Sequence, residues 1–390
     1  MFFQYQSDEV KSAYISYLRG IASLSRLFSD SSSPYIPYRA SENIFCLAFG
    51  AKNVSRTDCS ADAMKIIEEN INLGFGIKTF LEKNNQSFEK VAEFNKDLTE
   101  EKRKTMSPEA LVRHIAFLRN RRIESTCDLL GLNKLIYHCV VRNNGVIKIY
   151  EQNMDMIDLD QIVLELGSRH LHFADGQNEY QLNLTKSTLL KRFSSMGREL
   201  FSFEAKILRN PYDLIRSLGT ETYVPEITIP PVMKRQIKRK ATVYLPLYSP
   251  RDVDNPKVFP RSGLNQWNAR GRSRHQDELY IPIPLWVHRE FPEFFPDRDT
   301  PFELTLPNQN VLKAKVCQSD GKALMSDPNQ ALGHWLLRDV LRVKEGELVT
   351  YEDLIEIGID TVEIVKHSDL SFEINFKKIG TYAMFAKKFE

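Results

Sequence analysis

Cysteine is scarce and unpaired. The five residues, Cys46, Cys59, Cys127, Cys139 and Cys317, are odd in number and show no C-x-x-C spacing, which argues against a disulfide framework and a structural zinc site. No apolar run approaches the roughly 18 residues of a membrane span. Met1-Phe2-Phe3-Gln4 does not open like a secretory signal, so a cytoplasmic protein with no membrane partner is expected. Internal repeats and low-complexity tracts are absent, which excludes solenoids and arrays. Nor does one charge dominate: 53 Lys and Arg stand against 51 Asp and Glu, a net of +2. What the chain does have is ordinary globular material, 42% apolar and 27% charged, over 390 residues. At roughly 150 residues per domain, that length implies two to three domains.

The near-zero total conceals a segregation. Residues 234–274 hold eleven basic side chains and two acidic ones, a local charge of +9, whereas residues 275–390 sum to −7. A basic stretch inside an otherwise compensated chain points to a local surface for a polyanion.

Periodicity predicts a helix over 8–30, ended by Asp30-Ser31-Ser32-Ser33-Pro34, and a second from Ser41 as N-cap to about Gly50, with Glu42 in its first turn. Strands are expected at 58–64 and 73–80, and helices at 86–97 and 107–130. A hairpin over 135–150 turns at Asn143-Asn144-Gly145, and a second strand pair, 170–174 and 179–184, flanks Asp175-Gly176-Gln177-Asn178. A helix at 185–193 follows. The composition changes at 222–232, where Val224-Pro225 and Pro230-Pro231 sit among β-branched residues. This sets the boundary between a domain 1–225 and a domain 226–390. The second reads as mainly β, with strands near 242–247, 279–284, 302–306, 311–317, 361–366 and 371–376, and one helix at about 331–341.

Chemistry concentrates in Asp58-Cys59-Ser60-Ala61-Asp62-Ala63 and, sixteen residues on from Asp62, Lys78 within Gly76-Ile77-Lys78-Thr79-Phe80. On a strand, positions 58, 60 and 62 share a face. Carboxylates that hold Mg²⁺, with a lysine on the adjacent strand to orient water and offset phosphate charge, are what metal-dependent phosphodiester hydrolysis requires. The spacing resembles the PD-(D/E)XK nuclease superfamily, Asp62 standing for the first acid and Gly76-Ile77-Lys78 for the acid-x-Lys half. The departure is Gly76, which occupies the second acid's position. Glu42 early in its helix is the candidate replacement, with Asp58 and Glu93 as substitutes. The stretches Lys90-Val91-Ala92-Glu93-Phe94-Asn95-Lys96 and Leu118-Arg119-Asn120-Arg121-Arg122-Ile123 resemble the core and a basic helix of a group of type II restriction endonucleases. That resemblance implies phosphate contacts for Arg119, Arg121 and Arg122.

A second resemblance covers most of residues 241–376. It is carried by Arg261-Ser262-Gly263-Leu264-Asn265-Gln266-Trp267, Tyr280-Ile281-Pro282-Ile283-Pro284, Gln318-Ser319-Asp320-Gly321-Lys322-Ala323 and Leu332-Gly333-His334-Trp335. The series is similar to the C-terminal DNA-recognition domain of restriction endonucleases whose catalytic half is of the phospholipase D type. The resemblance implies a β-pseudobarrel like the plant B-three domain, with two arms that clasp the major groove. The first arm would be 251–275, carrying Arg251, Arg261, Asn265, Arg270, Arg272 and Arg274. The second would be 318–330, carrying Gln318, Lys322, Ser326 and Asn329. Arg forks suit guanine edges, and amides suit adenine. His334 and Trp335 are expected on the buried side of their helix. The phospholipase chemistry does not carry over, because it needs His-x-Lys and none of the eight histidines has Lys two residues on.

The resulting expectation is an α/β PD-(D/E)XK mixed sheet with flanking helices, followed by a mainly β pseudobarrel. The chain would be a Mg²⁺-dependent type II restriction endonuclease of a bacterial or archaeal cytoplasm. Its partners would be double-stranded DNA, a cognate methyltransferase in the same system and, as one option, a second copy in a homodimer. Glu42 and Asp62 would bind the metal, Lys78 would position water, and Lys238 and Lys240 would contact phosphates. A non-catalytic DNA-binding protein and a modification-dependent nuclease are the alternatives.

Overall fold

Why the chain folds as it does is clearest at its N-terminus. The Ser7 side chain accepts a hydrogen bond from Val10 N, Asp8 and Glu9 oppose the helix dipole, and Tyr14, Ile15, Leu18 and Ala22 line one face of α1 (Asp8–Ser23). In the computed structural model, residues 1–55, 59–68, 71–94, 105–166, 170–219, 242–249, 251 and 255–389 are described. Asp58, the 222–232 boundary, Lys238 and Lys240 lie outside them. The chain divides into two units, Met1–Asn120 with Leu132–Lys234, and Arg121–Gly131 with Arg235–Glu390.

In the first unit, α2 (Tyr38–Phe49) starts directly after Pro37, three residues before Ser41, and closes on Gly50 in the left-handed region at φ +57°. Ser41 is therefore interior and buried rather than a cap, and Glu42 lies in the second turn. The strands β1 (Lys52–Asn53), β2 (Ala63–Glu68), β3 (Ile71–Leu81) and β4 (Gln86–Glu93) follow. The expected strand 58–64 is corrected over its described part: β2 begins at Ala63, so Ser60 precedes it and Asp62 stands at its entrance. The expected helix 86–97 is also corrected over its first part. There Gln86–Glu93 pairs as strand β4, because a neighbouring strand supplies its ladder partners.

Helix α3 (Pro108–Leu130) leads to β5 (Lys134–Asn143) and β6 (Val146–Asn153), joined through Gly145 at φ +73°. Strands β7 (Val163–Leu166), β8 (His170–Ala174), β9 (Glu179–Asn183), β10 (Thr188–Ser194) and β11 (Glu199–Glu204) precede α4 (Pro211–Gly219). The helix expected at 185–193 is instead β10, held between β4 and β9. One sheet has the order β1-β2-β3-β5-β6-β11, with β3 and β5 parallel and the other pairs antiparallel. A parallel pair needs a long crossover, which runs through α3. The other sheet, β4-β10-β9-β8-β7, is antiparallel.

A core of Phe2, Phe3, Tyr14, Phe45, Phe49 and Phe75 packs α1 and α2 on the six-stranded sheet. Within it, His138 Nδ1 lies 2.9 Å from Glu151 Oε1, and its Nε2 lies 2.9 Å from the Tyr14 hydroxyl. Glu151 also accepts from Phe3 N. All three side chains are wholly buried, so the network ties the N-terminus to the sheet.

The second unit has one seven-stranded sheet, in the order β12 (Thr242–Pro246), β17 (Ile359–Ser368), β18 (Ser371–Lys378), β14 (Phe302–Thr305), β15 (Val311–Cys317), β16 (Ala323–Ser326) and β13 (Ile281–Pro282). Only β14 and β18 are parallel. The terminal strands β12 and β13 also lie against each other, so the sheet nearly closes into a barrel. Pro246 and Pro282 stand on these two terminal strands, where a missing N–H is tolerated. Short helices decorate it: α5 (Leu285–Glu290), α6 (Ala331–Gly333) running into a π-helix His334–Val340, α7 (Tyr351–Ile357) and α8 (Thr381–Ala386). The motif Leu332-Gly333-His334-Trp335 has a packing reason. A Cβ on Gly333 would sit 1.6 Å from the Asp277 carbonyl oxygen, so only glycine permits this approach. Trp335 is buried as expected, but His334 is exposed and lies 3.2 Å from Asp277 Oδ2.

Candidate active site and nucleic-acid interface

In the first unit, α2, the entrance to β2 and the middle of β3 bring together Glu42, Asp62 and Lys78. Asp62 N donates to Phe75 O (2.7 Å), and its Oδ2 accepts from Ile77 N (2.7 Å), which fixes the carboxylate against β3. Burial raises the Asp62 carboxyl above the ordinary value, against the lowering effect of Lys78, the Ile77 amide and Arg39. Glu42, 5% exposed, is likewise raised, by burial first and by the Asp62 charge second. The Arg39 guanidinium meets Glu42 Oε2 at 3.0 Å and donates to Ser55 Oγ at 2.9 Å. Lys78 Nζ donates to Lys90 O (3.1 Å) and lies 5.9 Å from the Tyr137 ring centre.

Gly76 is where the second acid of the resemblance would stand. A Cβ there would meet Met154 Cε at 2.6 Å and the Tyr137 ring at 3.1 Å, so a side chain at this position would have to displace the Met154 methyl and shift the ring. Of the substitutes, Glu93 pairs with Lys90 at 3.0 Å on its own strand. Two residues were missed. Arg39 stands three positions before Glu42, a spacing that was readable as a helical pair. Glu89 on β4 is raised by burial and lowered by Ser87 and the Lys78 charge, which puts it in the surroundings of Lys78. Reading β4 as a helix hid it.

The basic-helix expectation is corrected. Arg119 is 4% exposed and donates from Nη2 to the Tyr137 hydroxyl (2.7 Å), so it braces the interior instead of facing a phosphate. Arg121 pairs with Glu124 at 3.2 Å, and Arg122, half-buried, packs against Gly358.

The second unit divides the expected readers into two groups. Arg251, Arg261 and Arg270 are exposed and make no side-chain hydrogen bond among the described residues; Gln318 is also exposed, and Lys322 pairs only with Asp320 (3.1 Å). Asn329 is half-buried. Arg272 is half spent: it reaches the buried Glu278 carboxylate and donates to Ser273 O. Three expected base readers are corrected. Asn265 is fully buried, donating to Phe259 O (3.2 Å) and Val349 O (2.8 Å) and accepting from Val349 N (2.9 Å). Arg274 folds back onto Ala269 O (2.7 Å) and two further carbonyls of its own loop. Ser326 is buried, donating to Pro328 O and accepting from Leu332 N, both at 2.8 Å. The second arm is not one long loop, because β16 lies within it.

The near-closed sheet with its flanking short helices is consistent with a B3-like pseudobarrel. Residues 234–368, about a third of the chain, match the family model described as the NgoFVII C-terminal B3-like DNA-binding domain, a domain of restriction enzymes. No curated protein matches the chain. Among the described residues, no helix is long and apolar enough to cross a membrane.

Proposed function

We propose that the chain is a type II restriction endonuclease that cuts duplex DNA at a specific short sequence, with Mg²⁺ as cofactor. The carrying observation is the convergence of Glu42, Asp62 and Lys78 in a chain whose other unit matches a restriction-enzyme DNA-binding domain. The order helix, antiparallel hairpin, crossover helix and parallel strand supports a PD-(D/E)XK reading of the first unit.

The donor set fits a hard divalent cation. Both carboxyls are raised by burial, and Glu42 also by the Asp62 charge, so a shared positive charge relieves them, and Mg²⁺ accepts one or two carboxylates while keeping several waters. When bound, the ion would supply Lewis acidity toward a phosphoryl oxygen and acidify water. Glu42 and Asp62 would hold it; the Ile77 amide fixes the Asp62 carboxylate. Lys78 orients the attacking water and offsets the charge that develops on the phosphate oxygens. The pseudobarrel's exposed arginines read base edges, and a cognate methyltransferase protects host sites.

Digestion of phage DNA with the wild type and with Asp62→Ala and Lys78→Ala tests this. Mg²⁺-dependent fragments with one common terminal sequence are expected from the wild type only, with duplex binding kept by both variants. Cleavage by either variant refutes the assignment.

A further inference from the structure

The second unit contains a pocket of about 810 Å³ between the loop that follows β12 and the turn at Gln318. Its size is in the range of pockets that enclose a small organic group. The floor is aromatic: Tyr248 and Tyr382 are almost wholly buried, and Trp286 donates to the Tyr382 hydroxyl (3.2 Å). Tyr280 and the exposed ring of Phe259 add further aromatic surface at the walls. The lining also includes the exposed side chains of Arg251, Gln318 and Lys322. Gln318 adopts φ +65°, a left-handed conformation that costs a non-glycine residue energy and persists only where the surroundings hold it. Here the hold is local: His288 Nε2 lies 2.9 Å from Gly321 O in the same turn.

Base edges in a stacked duplex are reached by protruding helices, strands or loop tips, and the faces of stacked bases are hidden. A concave aromatic pocket with an amide in its lining engages a base only after that base has left the stack. We propose that this pocket receives one nucleobase extruded from the bound duplex. The aromatic walls take its faces, the Gln318 amide takes its Watson–Crick edge, and Lys322 holds a flanking phosphate. The inference rests on the DNA-reading half of the function proposed above and is independent of the nuclease chemistry.

The test uses the full chain without Mg²⁺. A duplex is first selected by the protein from a random-sequence pool, and then copies carrying a single mismatched pair at each position in turn are compared with the paired duplex. Unpairing costs a few kcal/mol, so one mismatch position should bind about tenfold or more tighter than the paired form. 2-Aminopurine at that position should report a changed environment. Gln318→Gly, which keeps the backbone conformation and removes the amide, and Phe259→Ala should bring the ratio toward one. Equal affinity for paired and mismatched duplexes overturns the pocket assignment while leaving DNA reading intact; so does a preference that both variants retain. Failure to select any duplex overturns the DNA reading, and the pocket assignment with it.

Discussion

Asn265→Ala separates a base-reading amide from a structural one. In the second unit the Asn265 side chain satisfies both the N–H and the C=O of Val349, a residue 1% exposed, and also donates to Phe259 O. Truncation strands two buried backbone groups at Val349, each costing about 1–3 kcal/mol; water can replace the third partner, because Phe259 is exposed. The expected loss is about 2–6 kcal/mol, a large share of the roughly 5–15 kcal/mol by which folded units are stable. At about 2–4 °C per kcal/mol for a unit of this size, the melting temperature should fall by roughly 4–24 °C. The assay is selective, because all three tryptophans, Trp267, Trp286 and Trp335, belong to this unit, so tryptophan fluorescence follows its melting alone. Asn265→Asp should not rescue stability, since it buries a charge and leaves both carbonyls without a donor. An unchanged melting temperature combined with lost sequence discrimination would refute the structural role and restore Asn265 to the reading surface.

Arg261→Ala should weaken cognate binding by about 1–3 kcal/mol relative to scrambled DNA, with no change in melting. Arg272→Ala should lower melting as well, because it removes the closer of two arginine partners of the buried Glu278 carboxylate and leaves only Arg274 Nε at 3.6 Å; equal melting of the two variants would contradict this. In metal-free buffer Glu42→Gln should raise the melting temperature at pH 8, and the gain should vanish by pH 4. The sign follows from the raised Glu42 carboxyl: its neutral form favours the folded state below the ordinary value of 4.5, and that contribution fades as pH rises and the buried group ionises. A lower melting temperature for Glu42→Gln at pH 8 would show that its pair with Arg39 outweighs burial.

Elements whose signals are local were readable in the sequence. The Asn144–Gly145 turn, the long α3 period and the β8–β9 pair were all legible, because turn chemistry and periodicity lie within a dozen residues. The failures, β4 and β10, are strands paired to each other across a separation of roughly a hundred residues. Their ladder bonds decide the conformation, and nothing in either segment alone shows that a partner will arrive. Of the candidate site, the proximity of Asp62, Lys78 and Glu42 was legible from residue type, spacing and the resemblance, whereas the role of each awaits the cleavage test. Glu42 was misplaced by a turn, because Pro37 rather than Ser41 begins the helix. The steric reason for Gly76, crowding by Met154 and Tyr137, was beyond the sequence, since Met154 lies after β6 and Tyr137 on β5.

The pseudobarrel arms carry the same lesson into energetics. Side-chain type reports the capacity to hydrogen-bond but not whether that capacity faces DNA or the chain itself. Closure of the loops spends Asn265, Arg274 and Ser326 inward and leaves Arg251, Arg261 and Arg270 facing solvent. Three bidentate arginine contacts at about 1–3 kcal/mol each would supply roughly 3–9 kcal/mol, close to the roughly 4–10 kcal/mol that separates specific from non-specific binding. The inward-facing residues are therefore not needed to account for discrimination. Replacing Arg251, Arg261 and Arg270 together with Gln should bring cognate affinity close to that for scrambled duplex. The tryptophan melting curve should stay where it is, because none of the three makes a side-chain hydrogen bond among the described residues. If the triple variant still discriminates by more than about a hundredfold at fixed salt, reading lies outside these arginines, and the Gln318 turn is the next surface to remove.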